Sequence, residues 1–595
     1  MALTTPGIDF LVYHFLLSCL PGCFVKAVFW SLGWPCPLVF LVLPCVLGLP
    51  GYIVFKIQLL ERAHHREAAA AGGRLAPRAR GKLLANFDLL TSLMDNWLNE
   101  YPGDGIWELL DEYGPVVNFR ILWIDTVFTH SPEYTKLILS TGFENYVKGE
   151  RFQEALGAVL GTGVFNSDGD MWKFHRSMTR PFFNRDRVTH FHLFDRYAEK
   201  VLKKIRERME AGMAIDFQDI MSRFTMDVTT DFLFNQCVDS LSSPLPFPHN
   251  SGRGSDSTPR IQTRADEFSA AFVNAMQVVA ERERYGWAWP LYEMTGDKTR
   301  KPMEIVKRFI EPIVQEAVQK KVVRDSIKED EQQFASSPDS KVDDDVRLLD
   351  HLVELTTDPV ILRDETLNIM IAGRDTMSST LTFTMYLLCN HPEVVVRLRE
   401  EIIDQVGPTA LPVFDQVKNM KYLRAVINET LRLFPPVPFN VRECVSGTLW
   451  PSPDPNEKPM YLPAGTKTPY SVLMMHRRKD LWGPDADIFD PDRWLDDRNQ
   501  KYFLANPFIF LPFNAGPRIC LGQQFAYNEM SIVLIRLLQN FSSFSLELDA
   551  FPPGTLPPPH WAKEEGRKAI ERIRPKAHLT MYSHGGLWLK MQDAL

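Results

Sequence analysis

Two apolar tracts open the chain. Residues 27–55 carry no charged side chain and are dense in Val, Leu, Phe and Trp, which is long enough to cross a hydrocarbon core of about 30 Å, since roughly 20 helical residues suffice. A shorter tract, 10–25, is interrupted by His14 and bounded by Asp9 and Lys26; it reads as a second span or an interfacial segment. Pro35, Pro37, Pro44 and Pro50 would kink a soluble helix, but membrane helices tolerate proline. A cleaved signal peptide is disfavoured, because the run is too long and lacks a short apolar core before a small-residue cleavage site. A basic flank follows: Lys56, Arg62, Arg66, Arg74, Arg78, Arg80 and Lys82 against Glu61 and Glu67. The positive-inside rule keeps that flank and all that follows cytoplasmic. The sequence thus divides into an anchor of one or two spans (1–60), a basic linker (61–84) and a body (85–595). The N-x-S/T sequons at Asn428 and Asn540 are then chance matches, being on the wrong side for glycosylation.

Within the body, apolar residues recur at helical spacing in 194–213 and 302–323, and 362–389 is apolar almost all round, as in a helix crossing an interior. Strand-like pieces are short: 116–122, 441–449, and 466–475 after the Pro463-Ala-Gly465 turn. Residues 61–80, rich in Ala, Gly and Arg, read as a linker or frayed helix. Ser/Pro/Gly-rich 242–260 and mixed-charge 324–345 read as surface loops. There are no internal repeats. The fold class is mainly α with a minor β-sheet region behind an N-terminal anchor.

Length alone, at about 150 residues per domain, points to roughly four domains. The composition, 45% apolar and 24% charged, is that of a folded globular chain. Lys and Arg number 66 against 74 Asp and Glu, a net charge of −8, so no basic footprint for nucleic acid exists. Of eight cysteines, Cys19, Cys23, Cys36 and Cys45 lie in the apolar front, while Cys237, Cys389, Cys444 and Cys520 are scattered without C-x-x-C pairs. Neither a disulfide framework nor a zinc site is indicated, and the body reads as reduced and cytosol-facing.

The chemistry gathers in Phe513-Asn-Ala-Gly516-Pro-Arg518-Ile-Cys520-Leu-Gly522, followed at once by the helical run QQFAYNEMSIVLIRLLQNF. A cysteine between glycines before a helix N-terminus has backbone N–H groups and a favourable dipole to stabilise a thiolate, which could ligate a metal. Gly516 and Gly522 permit a tight turn and close approach of a flat ligand, and Arg518 can offer a charge-assisted fork to a carboxylate. A lone cysteine is otherwise more often a small buried hydrophobe.

The spacing F-x-x-G-x-R-x-C-x-G resembles the heme-binding loop of the cytochrome P450 family. Further signatures follow the family's order: Ala372-Gly373-Arg374-Asp375-Thr376 resembles the oxygen-activating helix, Glu429-Thr-Leu-Arg432 the E-x-x-R helix, and Pro491-Asp-Arg493-Trp494 the meander. Trp172-Lys-Phe-His-Arg176 resembles the W-x-x-x-R helix. The likeness extends over roughly residues 85–590. Tyr146-Val-Lys-Gly-Glu150 and residues 161–172 are similar to fungal members of the alkane- and fatty-acid-hydroxylating type and their wood-rot relatives.

The resemblance implies a P450 fold with heme b bound through Cys520, the cofactor loop comprising Phe513, Gly516, Arg518 and Gly522. It implies that Trp172, Arg176 and Arg442 reach the heme propionates, and that Glu429, Arg432 and Arg493 form a buried structural triad. The small Ala372-Gly373 pair would let its helix widen beside the iron, while Asp375 and Thr376 relay protons to dioxygen. The implied reaction inserts one atom of O2 into a C–H bond of a lipophilic substrate, such as a fatty acid, alkane or hydrophobic aromatic. Phe152, Leu156, Val159, Leu160, Ile369 and Ile371 are the candidate pocket residues.

Cys520 lies 75 residues before Leu595, too few for a fused flavin domain, and no G-x-G-x-x-G follows a strand. Electrons are therefore expected from a separate membrane-bound NADPH–cytochrome P450 reductase at the endoplasmic reticulum membrane. Lys173, His175, Arg176, Arg180, Arg185 and Arg187 would form its docking face. The competing readings are a P450-fold isomerase or peroxide-dependent enzyme, and a membrane-tethered binding protein without heme. The intact Thr376 and Cys520 weigh against them.

Overall fold

The computed structural model describes residues 5–183, 191–234, 236–252, 263–331 and 347–594. Within the two expected loops, 253–260 and 332–345 lie outside the described residues, as do Arg185 and Arg187. Two long helices come first, α1 (Pro6–Ser31) and α2 (Leu38–Ala70). They pack as a hairpin, Gly22 against Cys45 and Leu41, and Gly48 against Pro21. Their apolar side chains remain uncovered, among them Phe15, Leu20, Phe24, Leu38, Val46 and Phe55, as expected of helices whose solvent is lipid.

Residues 61–80 are neither a loose linker nor frayed. Helix α2 runs on to Ala70 with Ala68 buried, and strand Arg74–Leu75 then pairs in parallel with Met460–Leu462, itself antiparallel to Thr448–Trp450. Charge holds this junction: Glu61 pairs with Arg78 and Arg120, and His64 lies 3.6 Å from Asp125.

The body is built from α3 (Glu150–Leu160), α4 (Gly169–Thr179), α5 (Phe191–Glu210), α6 (Phe217–Phe234), α7 (Arg264–Tyr285), α8 (Arg300–Glu331), α9 (Pro359–Asn390), α10 (Lys421–Leu433) and α11 (Gln523–Asn540). Helix α8 carries on through 324–331, where a loop was expected. Helix α9 starts sharply because the Asp358 carboxylate accepts the Val360 and Ile361 N–H groups and Pro359 occupies its first turn. It runs through the interior against α6, and both helices are buried over most of their surface.

A five-stranded sheet flanks the helices: β1 (Val116–Asn118), β2 (Val127–Thr129), β3 (Tyr146–Val147), β4 (Phe439–Cys444) and β5 (Lys467–Ser471), in the order β1-β2-β5-β4-β3. All three expected strands are shorter than their apolar patterns. The Asn118 side-chain carbonyl accepts Arg120 and Thr126 N–H and ends β1 in a turn. The 441–449 stretch divides between two sheets, at β4 and Thr448–Trp450. After β5, the Ser471 hydroxyl accepts Met474 N–H and starts a helical turn, Val472–Met475. A last hairpin pairs Pro575–Ala577 with Met581–Ser583 and packs on α9.

Candidate active site

The cysteine loop is fixed before it meets any ligand. Gly516 has φ +68°, and a Cβ there would stand 1.8 Å from the Leu139 carbonyl oxygen, so both conformation and space require glycine. Cys520 N–H donates to Phe513 O at 3.0 Å and Ile519 N–H to Gly516 O at 3.0 Å, closing the turn that delivers the chain to α11. Phe513 leans on Tyr527, their rings 5.2 Å apart.

The Cys520 side chain is exposed, yet burial is the dominant influence on its thiol and pushes its pKa up. The two facts agree only if the sulfur faces a cleft inside the protein. Gly522 N–H and the Arg176 charge act the other way. The expected stabilisation of the thiolate by the helix N-terminus is therefore present but outweighed by desolvation.

Cations converge beside this loop. Arg518 donates to Asp168 Oδ1 at 2.7 Å and Ser167 O at 2.9 Å, and lies 4.6 Å from the Trp172 ring centre, while its Nε has no partner. The carboxylate that its fork engages is thus partly the protein's own. Arg442 is buried on β4 and donates to Val441 O at 2.8 Å. Arg176 donates to Ile519 O at 2.9 Å.

Lys148, inside the Tyr146–Glu150 stretch but not marked out by its spacing, adds a further cation, 4.2 Å from the Phe152 ring centre. Burial, then Arg442 and Arg518, push its ammonium well below the usual range, and burial followed by Arg442 lowers Arg518 to about 10. Asp168 opposes both shifts, but its oxygens are already engaged by Lys148 N–H, Gly149 N–H and Gln153. Glu283 also opposes the Lys148 shift but is paired with Lys467 at 3.5 Å, so two committed carboxylates face the three cations Lys148, Arg442 and Arg518. The donor set fits a flat ligand carrying two carboxylates above a sulfur ligand, which is the chemistry of heme.

On α9, Thr376 Oγ1 donates to Ala372 O at 2.7 Å, Arg374 pairs with Asp375 at 2.8 Å, and Arg374 also reaches Ser222 Oγ on α6 at 2.8 Å. The neighbouring charges are therefore paired with each other, while the buried Arg374 Nε has no partner. The helix stays α-helical through Ala372–Thr376. Its Gly373 serves packing, since a Cβ would stand 2.9 Å from Thr229 Oγ1 of α6. His578, also missed from sequence, approaches from the last hairpin; burial lowers its pKa and the nearby Asp375 raises it.

Three polar side chains of α9 hold the segment ahead of α4. Asp364 accepts Thr162 N–H at 3.0 Å, Glu365 accepts Val164 N–H at 3.1 Å, and Asn368 accepts Phe165 N–H at 2.9 Å. His175 turns inward to Glu365 at 2.8 Å, both fully buried, so it leaves the expected docking face. Lys173 and Arg180 remain exposed there. Among the expected pocket residues, Leu156, Val159, Leu160 and Ile369 are buried in the main core, while Phe152 and Ile371 are partly open.

Far in sequence, Glu429, Arg432 and Arg493 meet without solvent. Arg432 grips Glu429 through two bonds of 2.7 and 2.8 Å, Arg493 Nε lies 3.4 Å from Glu429 Oε1, and Trp494 Nε1 donates to Glu429 Oε2 at 3.0 Å. Arg432 also donates to His476 O and Ile488 O, and Arg493 to Trp482 O and Asp485 O.

Comparison with known proteins agrees with this geometry. Residues 93–560 match the family model described as Cytochrome P450. The chain is 36% identical over 523 residues to Cytochrome P450 monooxygenase pvhE of Talaromyces variabilis, covering 82% of this chain and 87% of that protein. It is 34% identical over 463 residues to Cytochrome P450 52E2 of Candida apicola (76% and 82%) and 33% identical over 478 to Cytochrome P450 52A5 of Candida maltosa (78% and 84%). With a cysteine loop, a cationic cradle and a family match that spans most of its length, the chain belongs to the cytochrome P450 family, the heme-dependent monooxygenases that use O2 and electrons supplied by a reductase.

Proposed function

We propose that Cys520 would ligate the iron of heme b and that the enzyme hydroxylates a C–H bond of a lipophilic substrate taken from the membrane, fatty acids and alkanes first. The observation that carries this reading is the cation cluster beside the Cys520 loop, in which Lys148, Arg442 and Arg518 outnumber the committed carboxylates Asp168 and Glu283. Bound heme would supply O2 activation and oxygen insertion, and Cys520 would supply its thiolate ligand.

The protein's own share is to hold and to move protons. Arg518, Arg442, Trp172 and Arg176, joined by Lys148, would hold the propionates, whose carboxylates would relieve the desolvated charges of Arg518 and Lys148. Phe513, Gly516 and Gly522 shape the loop so that the sulfur faces the cleft. Arg374 fixes one oxygen of Asp375, which leaves the other to take protons from solvent. Thr376 passes a proton on when its hydroxyl exchanges Ala372 O for a water, which suppresses hydrogen peroxide release. Glu429, Arg432 and Arg493 act as a structural lock.

The electron donor in this reading is a membrane-bound NADPH–cytochrome P450 reductase docking at Lys173 and Arg180. The body stands on the cytoplasmic side of the endoplasmic reticulum membrane, as the basic flank after residue 55 favours. The test is the carbon monoxide difference spectrum of the reduced protein in microsomes. A strongly red-shifted Soret band supports thiolate ligation by Cys520. Bound heme without that band moves the ligand elsewhere, and absence of heme favours the binding protein.

A further inference from the structure

We propose that α1 and α2 cross the bilayer together as a hairpin, so that the N-terminal end lies on the same side as the catalytic body and docks onto it. The inference rests on the membrane reading above and adds a topology to it.

Length permits two crossings. Helix α1 has 26 residues and rises about 39 Å at 1.5 Å per residue. The uncharged stretch of α2, residues 38–55, rises about 27 Å, close to a hydrocarbon core. The connection between them, residues 32–37, lies at the end far from the body, and Trp30 and Trp34 beside it are 85% and 63% exposed. Aromatic rings of this kind settle at a membrane–water interface. Lys26 is only one to two turns from that end, within reach of the headgroups for a long side chain.

The near ends of both helices are fastened to the body. Thr5 Oγ1 donates to Met294 O at 2.8 Å, and the Phe10 ring stacks 5.9 Å from Trp287. Gly7 is set so closely that a Cβ would stand 2.8 Å from Met294 Cα and from Pro290 O. At the other end, Glu61 pairs with Arg78 and Arg120, and Tyr461 donates to Glu67 at 3.1 Å. A single crossing by α2 with the chain start on the opposite face would separate Thr5 from Met294 by the whole bilayer, about 30 Å. Only a hairpin keeps both clasps.

The full-length protein with an N-terminal epitope, in sealed microsomes, tests this. Protease should remove the epitope together with the body. Cys36, in the connection, should resist a membrane-impermeant maleimide until detergent opens the vesicles, with Cys36→Ser marking the labelled site. In addition, Thr5→Cys with Met294→Cys should be joined by a short bis-maleimide. An epitope protected while the body is digested overturns the hairpin, as does labelling of Cys36 in sealed vesicles from which protease removes the body. Epitope and body protected together would instead overturn the cytoplasmic orientation while supporting the hairpin. Release of the whole chain by alkaline carbonate would overturn both.

Discussion

Cys520 and Thr376 make separable demands at the scale of single residues. Cys520→Ser should abolish the red-shifted carbon monoxide band while circular dichroism keeps its helical signal. Thr376→Ala should still consume NADPH but return more of it as hydrogen peroxide per product, measured by coupling assays. Glu529 carries a different test. It is fully buried on α11, neither of its oxygens has a partner, and burial raises its pKa well above 4.5. A raised folded-state pKa means that the stability of the protonated form is complete below 4.5 and is lost as pH rises through the folded value. Glu529→Gln should therefore gain stability over the wild type by about 1.4 kcal/mol per pH unit above 4.5 until that value is passed. The check is a thermal denaturation series from pH 4.5 to 8. The motif residues could be read from the chain because their spacing is local. Lys148, Asp168 and His578 could not, since their relevance comes from charges that meet only after folding.

Elements translate this chemistry into position. The turn Gly516–Arg518 exists only while Leu139 O occupies the space a side chain would take, so Gly516→Ala should displace the loop and sharply lower heme content at near-normal expression. The clamp between α10 and the Pro491–Trp494 turn is stiffer. Arg432→Met would break the bidentate pair and leave buried Glu429 with only the longer Arg493 contact and neighbouring N–H donors, at a cost of about 3–5 kcal/mol, and little folded protein should be recovered on size exclusion. The helices Phe191–Glu210 and Pro359–Asn390 were legible in the sequence to within a few residues, because a 3.6-residue apolar period survives burial on one or all faces, whereas 302–323 runs on to Glu331 and the 27–55 tract divides between α1 and α2. Strands were not. The 441–449 and 466–475 patterns each continue past a sheet edge, and only Ser471 or a change of partner strand decides where pairing stops.

The whole molecule joins a lipid-facing hairpin to a water-facing body without a hinge. Removing residues 1–56 should leave a folded body with lower membrane affinity. Removing 1–80 should also lower its melting temperature, because Arg120 loses Glu61, and the buried Ala68, Ala76 and Ala79 go with it. The expected linker is the largest difference between sequence and fold, since Ala, Gly and Arg enrichment says nothing about the partners waiting at Arg120, Asp125 and Tyr461. Continuity of α2 from Leu38 to Ala70 gives that junction the character of a mast stepped into a hull. A bilayer thinner or thicker than the apolar length of α2 changes the helix's tilt. Because no slack segment absorbs the change, the body must lean with it, and the thickness of the host membrane sets the angle at which the catalytic cleft meets the lipid surface.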